Sequence, residues 1–355
     1  MPLVNTALTL KDLPPAPEGK TGWPWTEQSE PLPDKMADGS DWPRISIVTP
    51  NYNYGQFIEE TIRSVLLQGY PNLEYIVIDG GSTDNSVEII KKYEKWLSYW
   101  VSEKDNGQTD AINKGYSFCT GDLFVWLNSD DAYTQSDCLK SVAKLYSNGY
   151  NFIVGECIMV DEKDKQDIKR QQYGESRSVN FNQYLKFWKY PSLPQPAVFI
   201  SRELVSKSFP LDMNLYMVMD YQLFLRVLKQ KPKSIWVRQK WVKFKCHGNN
   251  KTMGNHPNEF DGFKEIYNLV LLESKNLDLI HRKIYQIELS NYKSIYNLTH
   301  QKHPPSFYQI IQSYQKNWLL FYWPIFWKIL FKSLLGEGWY SYIKNINIKN
   351  LNKKL

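Results

Sequence analysis

Asp130 and Asp131 stand side by side directly after an apolar run, Leu123-Phe124-Val125-Trp126-Leu127, short and bulky enough to be a buried strand. Two adjacent carboxylates there repel each other and are costly to desolvate, and a cation relieves both costs. Hard oxygen donors of this kind suit Mg²⁺ or Mn²⁺, and an ion so held can clamp a diphosphate. Alone, an Asp-Asp pair is equally the end of a strand and the start of a turn. What precedes it decides between the two.

The elements that must position the pair are legible upstream. Ile45 to Pro50 reads as a strand, and Gln56 to Gln68 as a helix with Phe57, Ile62, Val65 and Leu66 on one face. Leu73 to Ile78 is a second, almost wholly apolar strand, as in a sheet covered on both faces. It ends at Asp79, and a helix follows with Val87, Ile90, Tyr93 and Leu97 on one side. Tyr99 to Ser102 is a short third strand. The helix opened by Gly107-Gln108-Thr109 leads through Gly121 into the strand that carries the acidic pair. Four rounds of alternation in about ninety residues predict an α/β, doubly wound, mostly parallel sheet. Ligands bind such sheets beyond the carboxyl ends of the strands, where Pro50, Asp79 and Asp130 fall.

Farther on, 152–154, 157–160, 195–200 and 241–246 read as strands and 220–229 as a helix, while 163–178 is a charged loop. Helix continues from Pro257 to about residue 300. The organisation expected is a Pro-rich arm over 1–43, a catalytic domain over 44–255, a helical extension over 256–300 and a tail over 301–355. The arm reads as an extended segment laid over the body by Trp23 and Trp25, or as disorder.

The net charge of +6 over 355 residues is uneven: 301–355 holds eight Lys, no Arg and one acid, and the first 300 residues balance to −1. A neutral body with a basic end does not predict nucleic-acid binding. In that tail Trp318, Phe321, Trp323 and Trp327 are interleaved with Lys316, Lys328 and Lys332, a pattern suited to an anionic membrane surface or to packing on a protein partner. Its most apolar run is broken by Pro324 and too polar to span a bilayer. The four cysteines have neither C-x-x-C spacing nor scaffold density, and the first twenty residues have neither a basic start nor an apolar core. Both features predict a reduced, cytoplasmic protein without a secretory leader.

No G-x-G-x-x-G follows a strand and no G-x-x-x-x-G-K-[ST] occurs, so dinucleotide and P-loop chemistry lose support. Carboxylates at successive strand ends, with Tyr52 to stack a base, suit a nucleotide gripped by acids and bridged by a metal. Thr49-Pro50-Asn51-Tyr52-Asn53, Asp79-Gly80-Gly81-Ser82-Thr83-Asp84, Asp110-Ala111-Ile112-Asn113-Lys114-Gly115 and Asn128-Ser129-Asp130-Asp131 together resemble family 2 glycosyltransferases of the GT-A fold. The resemblance runs from about Arg44 to His247.

That resemblance implies a nucleoside diphosphate sugar whose base is bound by Asp79, Pro50 and Tyr52. It implies Asp130 as the ribose or sugar contact and Asp131 as a ligand of Mn²⁺ or Mg²⁺, although the triplet reads Ser129-Asp130-Asp131, with only two acids. Met219 to Arg226 resembles the segment that supplies the catalytic base, which makes Asp220 the base; a helix N-cap is the plain alternative. His247 is implied near the metal and diphosphate, with Lys251 behind it. Asp110 is implied near the nucleotide with Lys114, against an i,i+4 surface pair, and Gln195 on the acceptor side. Glu103 and Asp105 read as solvated.

The expected activity is an inverting, metal-dependent transfer to a glycan or lipid-linked acceptor in cell-surface polysaccharide synthesis, at the inner face of the plasma membrane. A sugar nucleotidyltransferase would need a Gly-rich loop after the first strand, and a processive synthase would need flanking membrane spans. An inactive sugar-nucleotide-binding scaffold of an assembly complex is the alternative from another class.

Overall fold

The computed structural model describes residues 6–135, 137–162, 164, 179–189, 192–251, 262–275 and 277–299, with 310, 313 and 330 as isolated positions. The tail at 301–355 otherwise lies outside the described residues, as does most of the charged loop at 163–178. The chain divides into two compact units, Met1–Ile266 and Tyr267–Leu355.

The first unit alternates as expected through β1 (Ile45–Asn51), α1 (Gly55–Leu66), β2 (Leu73–Asp79), α2 (Ser86–Tyr93), β3 (Tyr99–Ser102), α3 (Gln108–Ser117) and β4 (Leu123–Trp126). It continues with β5 (Ala132–Tyr133), α4 (Cys138–Ser147), β6 (Phe152–Val160), α5 (Phe181–Tyr184), β7 (Val198–Ser201), α6 (Arg202–Ser206), α7 (Met219–Lys229) and β8 (Ser234–Lys245). Two helices follow, α8 (Gly262–Ser274) and α9 (Leu279–Thr299). No helix among the described residues is long and apolar enough to cross a membrane.

The strands form one eight-stranded sheet in the order β3-β2-β1-β4-β7-β6-β8-β5. Its first half, β3 to β4, is wholly parallel. β7 then runs antiparallel to both β4 and β6, β8 runs parallel to β6, and β5 runs antiparallel to β8. The sheet is therefore more mixed than a doubly wound expectation, because the helical crossovers that force parallel pairing end at β4.

Every residue of β1 and β2 is buried, as their mainly apolar sequences suggest for strands covered on both faces. α1 covers the sheet with Ile58, Ile62, Val65 and Leu66. α3 packs through Ala111, Ile112 and Gly115, where a Cβ would stand 2.4 Å from Val48 Cγ1; only glycine admits that approach. The two short strands expected near 152–160 are one nine-residue strand with register shifts around Glu156. β8 starts at Ser234 rather than Trp241, because its exposed Arg238-Gln239-Lys240 reads as a loop.

The arm is laid along the body. Leu8, Leu13, Trp25 and Trp42 are buried. Arg63 of α1, 1% exposed, donates to the main-chain oxygens of Pro14 (2.8 Å), Pro24 (3.0 Å) and Trp25 (3.1 Å) and to the Tyr93 hydroxyl (3.1 Å). Ser29 and Leu32 donate their amides to Leu67 and Gly69. The expected boundary at residue 44 thus falls inside the first compact unit. Replacing Arg63 by Met keeps the stem and strands several buried carbonyls. The expected loss is about 3 kcal/mol or more, since each orphaned buried group costs about 1–3 kcal/mol, and urea unfolding at neutral pH measures it.

Candidate active site

A cavity of about 690 Å³ opens at the carboxyl ends of β1 and β4. Beside it the turns after β1 and β2 interlock. Asn51 donates to Asp79 at 2.7 Å, the Ser82 hydroxyl donates to Asp79 at 2.6 Å, and Asn53 accepts the Thr83 amide at 2.8 Å. Asn53 sits at φ 54°, a conformation asparagine tolerates well. Asp84 receives the first amide of α1, from Gly55, at 2.8 Å and also the Ser86 amide at 3.0 Å, so one carboxylate sets the start of two helices.

Pro50 and Tyr52 line the cavity, and Tyr52 is 61% exposed, free to stack on a flat ligand. Asp79 is wholly buried and lies behind this wall. Its carboxylate takes five donors, from Asn51, Gly81, the amide and hydroxyl of Ser82, and Ser102. Asp105, read as solvated, instead lines the cavity beside Gly80, and burial raises its carboxyl above the ordinary range. Asp110 and Lys114 are not in the lining. Asp110 accepts both nitrogens of Asn106 at 3.0 Å, and Lys114 pairs with Glu103 rather than with Asp110.

The acidic pair lies in the loop after β4. Asp130 lines the cavity, and its Oδ2 meets His247 Nε2 at 3.1 Å and accepts Asn250 Nδ2 at 2.9 Å. Asp131 is 1% exposed and stands behind Asp130, with its Oδ1 buried and without a partner. Burial first, and the neighbouring Asp130 second, push the Asp131 carboxyl well above the ordinary range. Of the two, Asp130 rather than Asp131 faces the cavity and meets the imidazole.

Among the described residues no three His, Cys, Asp or Glu side chains converge as a ready cage for a metal. The donors still fit a hard divalent ion. Mg²⁺ and Mn²⁺ are commonly held by one or two carboxylates and completed by substrate phosphates, and the unpartnered Asp131 oxygen is an acceptor such an ion would satisfy.

A polar relay borders the cavity. Lys251 Nζ donates to Gln108 Oε1 at 3.2 Å, and Gln108 Nε2 donates to Asn128 Oδ1 at 2.8 Å. Asn128 Nδ2 reaches Asp131 Oδ2 at 3.3 Å and Gln195 Oε1 at 3.4 Å. Gln195 is tied to the sheet through Trp126 O at 2.8 Å. Lys251 also stands 4.0 Å over the Tyr216 ring. Burial pushes its ammonium down to about 8, against the pull of Glu265 and Asp220.

Asp220 lines the same cavity from the first turn of α7. It makes no capping bond, and its carboxylate accepts the adjacent Tyr221 amide at 2.7 Å. Burial pushes its carboxyl up to about 6. Of the residues the sequence singled out, Pro50, Tyr52, Asp130, Gln195, Asp220 and Lys251 therefore share one cavity, while His247 bonds to Asp130 at its edge. Gln108, Asn250, Tyr54 and Asp105 were missed. Asn250 follows His247 by three positions, a spacing that could have suggested it; nothing local marks the others.

This cavity, at the carboxyl edge of a half-parallel sheet and walled by acids and a half-buried lysine, belongs to a GT-A fold. The truncated S. aureus TarS bound to UDP-GlcNAc superposes on it with a TM-score of 0.57 at 16% identity, over 82% of this chain and 81% of that one. Residues 46–209 match the model of glycosyl transferase family 2. An uncharacterized glycosyltransferase of Nostoc sp. is 26% identical over 176 residues, 48% of this chain and 54% of its own length. TuaG of Bacillus subtilis, a putative teichuronic acid biosynthesis glycosyltransferase, is 34% identical over 107 residues, 29% of this chain and 42% of its own. The match spans about half the length of these relatives.

The raised Asp220 has a consequence for stability. Its folded value of about 6 lies above the ordinary 3.8, so the unfolded chain gives up this proton first. Below 3.8 the group is neutral in both states and costs nothing; between 3.8 and 6 the cost grows, and above 6 it is complete. Asp220→Asn should therefore stabilise the protein by roughly 1–3 kcal/mol at pH 8 and hardly at all at pH 4, as paired urea titrations at the two pH values would show.

Proposed function

We propose that the chain is an inverting glycosyltransferase that moves a sugar from a nucleoside diphosphate sugar to a glycan or lipid-linked acceptor during surface polysaccharide synthesis. The reading is supported above all by one cavity being lined by Asp130, Asp220, Gln195 and Lys251 together. Displacement with inversion needs a base on the acceptor side, and Asp220, with a carboxyl raised to about 6 and facing the cavity, suits that task. Asp130, Asp131 and His247 would hold Mn²⁺ or Mg²⁺, which when bound supplies charge for the leaving diphosphate. Lys251 adds a protein cation at the same cavity, and Tyr52 offers an exposed ring to the base. The polysaccharide context is supported by TuaG, whose name assigns it to teichuronic acid synthesis. The donor class is supported by TarS, which binds UDP-GlcNAc on the same fold.

The pH profile tests the assignment. Asp220 must be ionised to accept a proton, so kcat/KM should rise through about pH 6. Lys251 must stay charged to hold a diphosphate, so kcat/KM should fall through about pH 8. Asp220→Asn should lower turnover about 10²–10⁴-fold and erase the acid limb, leaving donor affinity nearly intact. In a thermal-shift screen of nucleoside diphosphate sugars with Mn²⁺, the stabilisation should disappear in Asp130→Ala and Asp131→Ala. Donor binding without turnover of any donor and acceptor pair would favour the scaffold reading instead.

We further propose that the basic, aromatic tail from residue 301 rests on an anionic membrane surface at the cytoplasmic face, on the strength of its eight lysines against one acid. Co-sedimentation with phosphatidylglycerol vesicles should be lost at high salt and in a chain truncated at residue 300. Equal sedimentation of the truncated chain would rule the tail out.

A further inference from the structure

The loop 129–135 that carries the acidic pair is held largely by side chains of two other elements. On α1 and just past its end, Thr61, Ser64 and Gln68 follow one another at spacings of three and four, which puts them on one helical face. All three are buried. Thr61 Oγ1 lies 2.8 Å from Ser129 O and 2.7 Å from Asp131 O. Ser64 Oγ accepts the Tyr133 amide at 3.0 Å, and Gln68 Nε2 donates to Thr134 O at 3.1 Å. The arm contributes two further bonds: Trp23 Nε1 donates to Tyr133 O at 2.7 Å, and Gln135 Nε2 donates to Gln28 O at 3.1 Å.

We propose that Thr61 and Trp23 are positioning residues for the Asp130–Asp131 pair, which makes the N-terminal arm a working part of the cation and donor site. The inference rests on the reading of that pair as a divalent-cation site. Thr61 has one hydroxyl proton, shared between the carbonyls of Ser129 and Asp131, so it pins the main chain on both sides of Asp130. The pair needs such pinning, because two neighbouring carboxylates gain by moving apart. Regular structure offers little around Asp130 itself: β4 ends at Trp126, and β5, which pairs with β8, begins only at Ala132 and is two residues long. Trp23 holds the far end of the same loop, and Arg63, on the helix that carries Thr61, fastens the arm through three carbonyls. Arm, helix and acidic loop therefore form one hydrogen-bonded layer. The arm precedes the family-matched stretch, residues 46–209, so the match assigns it no role.

The test is calorimetric titration of the full chain with Mn²⁺ in the presence of UDP. Thr61→Val keeps the shape and removes the hydroxyl; Trp23→Phe keeps a ring and removes the indole N–H. Each should weaken Mn²⁺ binding roughly tenfold or more, the range seen when a group that orients a metal ligand is lost. Thr61→Ser should restore affinity close to wild type. Tyr70→Phe removes a different bond between body and arm, from the Tyr70 hydroxyl to Pro43 O at 2.6 Å. It should lower the melting temperature without changing Mn²⁺ affinity. Wild-type affinity in both Thr61→Val and Trp23→Phe would overturn this inference and leave the cation reading standing. Equal weakening in Tyr70→Phe would overturn it by showing only general loosening. A wild-type chain without Mn²⁺ affinity would overturn both.

Discussion

The repulsion between Asp130 and Asp131 is the constraint around which the first compact unit is arranged. One carboxylate faces the cavity and the other is 1% exposed behind it, with an oxygen that no side chain among the described residues satisfies. The nearby cations are engaged elsewhere. Burial would lower the Lys245 ammonium, but Glu60 at 2.7 Å overrides that and holds it raised, and Lys251 is turned to Gln108. The protein contributes imidazole and amides to the pair rather than a closing charge. On the proposed function, a cation arriving with the donor would supply that charge.

Three buried or half-buried aspartates show how the surroundings divide one residue type among tasks. Asp79 has five donors and is structural cement between the turns after β1 and β2. Asp131 has Asn128 at 3.3 Å on one oxygen, while among the described residues its other oxygen, Oδ1, has no side-chain partner. Asp220 has the adjacent amide and the cavity. A carboxylate whose oxygens are saturated is a poor base and a poor ligand, whereas one with few donors must find a proton or a cation. Reactivity here follows from the number of donors, and the fold controls that number through where each strand or helix ends.

The parallel half of the sheet was legible because its signals are local. Apolar runs bounded by turn residues, alternating with helical stripes, predict β1 to β4 and their ends with small error. The acids at those ends are legible for the same reason. What was not legible depends on residues distant in sequence. Asp79 and Asp105 both follow strands, and only the packing of Gly80 against Asp105 shows which one reaches the cavity. Gln108 matters because Lys251, 143 positions later, leans on it. The order of the acidic pair depends on which side His247 approaches, and β8 delivers that histidine from the opposite end of the domain. The first half of β8 was hidden by its exposed, charged stretch. The arm's place was suggested by its tryptophans, but its carbonyl contacts with Arg63 leave no trace in composition.

Asp220 and Lys251 are moved in opposite directions by one cause. Desolvation disfavours charge, so it lifts the acid to about 6 and lowers the amine to about 8. Between those values both groups are charged, at a cost to the empty protein, and each is close enough to neutrality to exchange a proton readily. Outside that interval one of them is neutral, which on the proposed roles would remove either the base or the cation. The same burial that makes the cavity expensive to maintain also centres the interval in which both groups are charged near neutral pH. No change of residue type achieves this; it needs only that α7 and the segment after β8 present their side chains to one partly closed space.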